Sequence, residues 1–153
     1  MKKLLLVAAA CLTTGVANAE QWYFVNLGAT NFYLIDMDSR VCDNKICSAW
    51  QAVIPTDLSL PYDLTMMRFK VDCSDYKLKV TSFARYSKGK LKGDNNEETE
   101  WFYASPGSAG EPIVKAVCVP SSIDRSTGAI DDIRSAAPTI QGVIAELSGK
   151  SKQ

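Results

Sequence analysis

The chain contains no histidine among its 153 residues. That removes the commonest general base, the usual partner of a nucleophilic serine or cysteine, and the commonest zinc ligand. It has no apolar run long enough to span a bilayer. It has no excess of charge either: 17 basic residues stand against 17 acidic ones, which argues against bulk nucleic-acid binding. No cofactor is expected, and the absences together favour a binding protein over an enzyme. The acidic pairs Asp36/Asp38 and Asp72/Asp75 are the only candidates for acid–base work, and Asp72/Asp75 flanks a turn, where aspartate is common for backbone reasons.

What is present begins at the amino-terminal end. Lys2 and Lys3 precede the short apolar run Leu4–Leu12, and Ala17-Asn18-Ala19 is a small-x-small cleavage site. Residues 1–19 therefore read as a bacterial secretory signal peptide. Cys11, after Ala8-Ala9-Ala10, is a weak lipid-anchor candidate because no branched aliphatic residue stands three positions before it. Export to the periplasm or the outer-membrane surface follows, in an oxidising compartment where Cys42, Cys47, Cys73 and Cys118 form an even set.

The chain after residue 19 reads as strands. Trp22–Leu27 and Phe32–Asp36 flank the turn Gly28–Asn31, and Ile46–Ile54 runs up to Pro55 after a loop over 37–45. Residues 55–63, with two prolines and two aspartates, form an irregular connection. In Met67–Cys73 the odd positions are apolar and the even ones charged, and Tyr76–Val80 alternates likewise across a turn at Ser74-Asp75. Such a period of two marks an antiparallel sheet with one face on a core. Phe83–Tyr86 continues the second strand through a bulge, because the parity slips after Thr81. Ser87–Glu98 reads as a loop and Glu100–Ala104 as the last strand.

Helical signals follow. Ser108 with Glu111 has capping-box spacing, and Ile113, Val114 and Val117 share a face up to Cys118. Residues 119–128 are linker-like. Residues 129–153 form a helical extension with apolar spacing from Ile130 to Leu147, split or kinked at Pro138, packing on the sheet or serving a dimer contact, and ending in a frayed tail from Gly149. The four cysteines allow three pairings and sequence selects none. A Cys73–Cys118 bridge ties helix to sheet for about 4 kcal/mol, and Cys42–Cys47 clips a hairpin for about 2 kcal/mol, in the chain-entropy account. Their spacing is neither that of a CxxC redox site nor of a zinc tetrad.

The strongest local signal is charge. Between Arg68 and Lys92 lie eight basic residues against two acidic ones. Alternation puts Arg68 and Lys70 on one face of their strand and Lys77 and Lys79 on one face of its neighbour; Lys88, Lys90 and Lys92 extend the set from the following loop. Two readings stand: a solvated sheet face whose lysines keep an edge from aggregating, and a basic docking face for acidic protein segments, sulfated glycans or anionic lipid heads, with Asp94, Glu97, Glu98 and Glu100 as an acidic counter-patch. Most of the aromatic residues are expected in the core.

The ordered landmarks resemble the surface-adhesin protein E family of Gram-negative bacteria. They are Trp22-Tyr23, Phe32–Asp36, Ser48-Ala49-Trp50, Val71-Asp72-Cys73, Tyr76-Lys77-Leu78, Trp101-Phe102-Tyr103, Ser105–Ser108 and Ala116-Val117-Cys118. The resemblance covers residues 20–118. It implies an α+β fold: an antiparallel sheet carrying a short helix on one face, tethered by a disulfide that matches Cys73–Cys118. It further implies a non-catalytic adhesin that attaches to extracellular-matrix or serum proteins such as vitronectin and laminin, and forms a homodimer. The Cys42/Cys47 pair and residues 119–153 are extra to the family pattern. The rival expectation is a periplasmic envelope-maintenance protein without a host ligand.

Overall fold

The computed structural model describes residues 20–150. The signal peptide with its cleavage site, Cys11, and residues 151–153 of the expected tail lie outside them. Seven strands form one antiparallel sheet: β1 (Trp22–Leu27), β2 (Asn31–Asp43), β3 (Ile46–Pro55), β4 (Leu64–Asp72), β5 (Lys77–Ser87), β6 (Lys90–Asn95) and β7 (Phe102–Tyr103). The first six lie in chain order, each paired with the next, and β7 pairs with the first residues of β5.

The period-two alternation of β4 sets the two faces. Phe69 and Val71 point one way; Leu64, Met66, Arg68 and Lys70 point the other. Opposite Arg68–Phe69, β5 carries one extra residue at Thr81, whose hydroxyl donates to the Arg68 carbonyl at 3.2 Å. That is the bulge read from the parity slip.

Helix α1 (Gly110–Cys118) lies on the first face, where Ile113, Val114 and Val117 close over Ile35, Ala49, Phe69, Val71 and Leu78. Gly110 permits that approach, since a Cβ there would stand 3.3 Å from Leu78 Cδ2. The Cys73–Cys118 bridge ties the end of α1 to the end of β4, and Cys42–Cys47 joins directly opposed residues of the β2–β3 hairpin. Helix α2 (Ile133–Lys150) lies on the opposite face, with fully buried Ile133 and Ala137 against Trp22, Leu34, Ala52, Ile54 and Leu64. The last half of β3 is consequently buried on both sides, which is why Ala52-Val53-Ile54 is apolar without alternation.

The structure corrects several boundaries. The expected loop over 37–45 is a continuation of β2 to Asp43, with a register shift after Asp36 and a two-residue turn at Asn44-Lys45. The expected loop 87–98 contains β6, entered through Lys88-Gly89, both with positive φ, the conformation a two-residue hairpin turn demands. Of Glu100–Ala104 only Phe102–Tyr103 pairs as a strand. The capping box does not form: Ala109 stands at the N-cap, Ser108 Oγ is buried without a partner, and Glu111 instead accepts from the Gly107 N–H at 2.6 Å. The region 119–128 holds a 3-10 turn at Pro120–Ser122, and Ile130 leaves the expected helix to exchange two backbone hydrogen bonds with Trp22. Helix α2 starts later, with Asp132 accepting from the N–H and hydroxyl of Ser135, and it is continuous through Pro138 and to Lys150.

Candidate functional site

On the α2 face, the half of the sheet that the helix leaves open carries the basic residues. Sheet register aligns Trp50, Arg68 and Ser82 in one row, Ser48, Lys70 and Lys79 in the next, and Asp72 with Lys77 beyond. The structure thus brings Arg68, Lys70, Lys77 and Lys79 together. It places Lys88 and Lys90 about the β5–β6 turn, roughly 25–30 Å from Lys79 by strand rise, and Lys92 at the register shift beside Arg85 and Tyr86, so one continuous patch of seven does not form.

The four clustered cations are each engaged. Glu98 lies between two of them: Oε1 accepts from Lys70 Nζ at 3.1 Å, and Oε2 accepts from Lys79 Nζ. These hydrogen bonds, that from Lys79 foremost, hold the Glu98 carboxyl below the usual carboxylate range. Lys77 donates to Asp75 at 2.8 Å, and this bond raises its ammonium above the usual lysine value. Arg68 reaches Ser48 Oγ at 3.4 Å and has no carboxylate partner among the described residues. Part of the expected acidic counter-patch is therefore folded onto the basic face.

Aromatic rings complete the surface. Lys79 Nζ lies 5.3 Å from the Trp101 ring centroid, Lys77 Nζ 5.1 Å from that of Tyr103, and the Arg68 guanidinium 5.8 Å from that of Trp50. Such stacking holds the lysines against the rings. The rings remain open: Trp101, Phe102 and Tyr103 are 39%, 44% and 68% exposed. The expectation that most aromatic residues lie in the core does not extend to these three. The signal that could have separated these three is the run Glu97–Glu100 before them, which keeps the segment at the edge of β5 in solvent. A shallow depression of about 720 Å³ adjoins them, lined by Lys70, Asp72, Lys79, Trp101 and the Asn44-Lys45 turn.

Asp36 behaves differently from its neighbours. It is 6% exposed and lines a cavity of about 250 Å³ between Trp22, Trp50 and Tyr86, with the Glu20–Arg134 ion pair also lining it. Burial pushes its carboxyl up, although Oδ1 accepts from the Asp38 N–H at 3.0 Å. Asp38 hydrogen-bonds to it only through its backbone N–H, its charge adding the smallest of the upward pushes, so the two carboxyls do not share a proton as a hydrogen-bonded dyad. Among the described residues no group of three or more His, Cys, Asp or Glu is placed to hold a metal ion, and no helix is long and apolar enough to cross a membrane.

These features define a class: a disulfide-stapled antiparallel-sheet domain that presents aromatic rings over paired lysines at one sheet edge. A family profile described as surface-adhesin protein E matches residues 22–119, and the chain belongs to that family. Among solved structures it is similar to protein E of Haemophilus influenzae in crystal form II, at 13% identity and a TM-score of 0.44, covering 64% of this chain and 94% of that one. It is also similar to protein E from non-typeable Haemophilus influenzae, at 14% identity and a TM-score of 0.44, over 85% and 92% of the two chains. Comparison with curated proteins gave no match.

Proposed function

We propose that this protein is an exported, non-catalytic adhesin that binds a host extracellular-matrix or serum protein through the Trp101–Tyr103 edge. The observation that carries the reading is the exposure of Trp101 and Tyr103 above Lys79 and Lys77, with exposed Phe102 between them on the other side of the segment, in a member of an adhesin family. Tryptophan and tyrosine are among the residue types that dominate binding energy at protein interfaces. Arg68, Lys70, Lys77 and Lys79 supply the charge that orients an acidic segment of the partner, while Lys88, Lys90 and Lys92 act at the far end as a separate, weaker steering group. A homodimer belongs to the same reading: residues 23–27 of β1 face no further strand among the described residues, and Phe24 and Leu27 there are exposed.

Protease treatment of intact cells, followed by immunoblotting, tests display. Loss of the protein is expected while a periplasmic marker survives. Full protection would contradict surface display and favour the envelope-maintenance role.

A further inference from the structure

The two disulfides are not independent. The Cys73 N–H donates to the Lys45 carbonyl at 2.9 Å, which sets Cys73 diagonal to Cys47 on the α1 face of the sheet. The sulfurs of Cys47 and Cys73, which belong to different bridges, are 3.9 Å apart. Four sulfurs therefore form one cluster. Its two ends differ in access: Cys42 is exposed at the hairpin tip, whereas Cys47 is 4% exposed. Arg40 also reaches the cluster. Its Nη2 lies 3.7 Å from Cys47 Sγ, while its Nε donates to the Val117 carbonyl at 2.6 Å, next to Cys118. A guanidinium so placed favours a thiolate on Cys47 over a thiol.

We propose that Cys42–Cys47 is a thiol-exchange site, open to a dithiol of the oxidoreductase class, which passes its reduction inward to the helix tether. A thiolate of the dithiol attacks the exposed Cys42 Sγ; the bond to Cys47 breaks and its electron pair stays on Cys47 as a thiolate. The second thiol of the dithiol resolves the mixed disulfide, so the dithiol leaves oxidised and Cys42 takes a proton. The Cys47 thiolate, held by Arg40, attacks Cys73 Sγ. A Cys47–Cys73 bond forms, the Cys73–Cys118 bond breaks, and Cys118 departs as a thiolate that water protonates. Two electrons have entered, one bridge remains, and α1 is no longer covalently tied. Ile113, Val114 and Val117 still seat the helix on the sheet. The binding reading is not required for any of these steps.

The test is stepwise reduction of the purified, oxidised protein with dithiothreitol under native conditions, trapped with N-ethylmaleimide and mapped by peptide mass spectrometry. The expected singly reduced species carries label on Cys42 and Cys118 and a linked Cys47–Cys73 peptide pair. Cys42→Ser, a change at an exposed position, is expected to give the same linked pair and a labelled Cys118 without any reductant. Label confined to Cys42 and Cys47 in the wild type, with Cys47 alone labelled in Cys42→Ser, would overturn the proposal. So would label on Cys73 and Cys118 while Cys42–Cys47 persists.

Discussion

Asp36 shows how one residue can be visible in sequence and misread. Its place in Phe32–Asp36 was legible as a strand end, but its burial depends on Trp22 and Trp50, which flank it in the register from strands on either side. The pKa shift has a consequence for stability. Because burial raises the folded carboxyl above its ordinary value of 3.8, the folded state binds the proton more tightly than the unfolded chain. The group's stabilising contribution is present below that value and is lost as pH rises above it. Asp36→Asn is therefore expected to be more stable than the wild type at pH 7. The difference should shrink as pH falls towards 3.8. Urea unfolding of both proteins at neutral and acid pH measures this. At the same scale, Ser108 and Glu111 had the right spacing for a capping box, yet the helix begins after Ala109 and Ser108 Oγ is buried instead. Spacing states which bonds are available; packing against Leu78 and Ala104 decides where the helix starts.

At the scale of elements, the strands whose alternation faces a core on one side were legible, and β4 with its bulged neighbour β5 is the clearest case. The missed pieces were the second part of β2 and all of β6, whose residues are polar and mostly exposed and so carry no alternation to read. Their turns held the local signal, Asn44-Lys45 and Lys88-Gly89. Helix α2 was legible as an amphipathic helix with sheet packing among its roles, but nothing in sequence says that it covers the face opposite α1. Ile133 is fully buried there, so Ile133→Ala is expected to cost about 3 kcal/mol in chemical unfolding, the range for a large-to-small change in a packed core. The other helix depends on a covalent tie. Replacing Cys73 and Cys118 together by Ala is expected to cost about 4 kcal/mol in the chain-entropy account, and a matched denaturation curve measures it.

For the whole molecule, two helices on opposite faces leave an unequal surface. The α1 face is closed by a tethered helix at its Phe69–Leu78 end and open at its Phe83–Arg85 end. The α2 face is closed at the Ile54–Leu64 end and open at the Lys70–Lys79 end, where Trp101 and Tyr103 stand over the lysines. Sequence could show that Arg68, Lys70, Lys77 and Lys79 share a face, because strand parity fixes it. It could not show that Glu98 returns to neutralise Lys70 and Lys79, since that contact spans 28 and 19 residues. The open end is consequently an aromatic surface with screened charge rather than a bare basic patch. Binding through it should depend more on the rings than on net charge, so Lys77→Glu with Lys79→Glu is expected to weaken capture less than loss of Trp101 and Tyr103 does. The most direct measurement is surface plasmon resonance of the purified protein on immobilised vitronectin and laminin, comparing the wild type with Trp101→Ala/Tyr103→Ala. Two interface anchors each worth about 2 kcal/mol predict a loss of affinity of roughly several hundredfold with the thermal midpoint unchanged. Equal binding by the two proteins, or none by the wild type, would contradict the account.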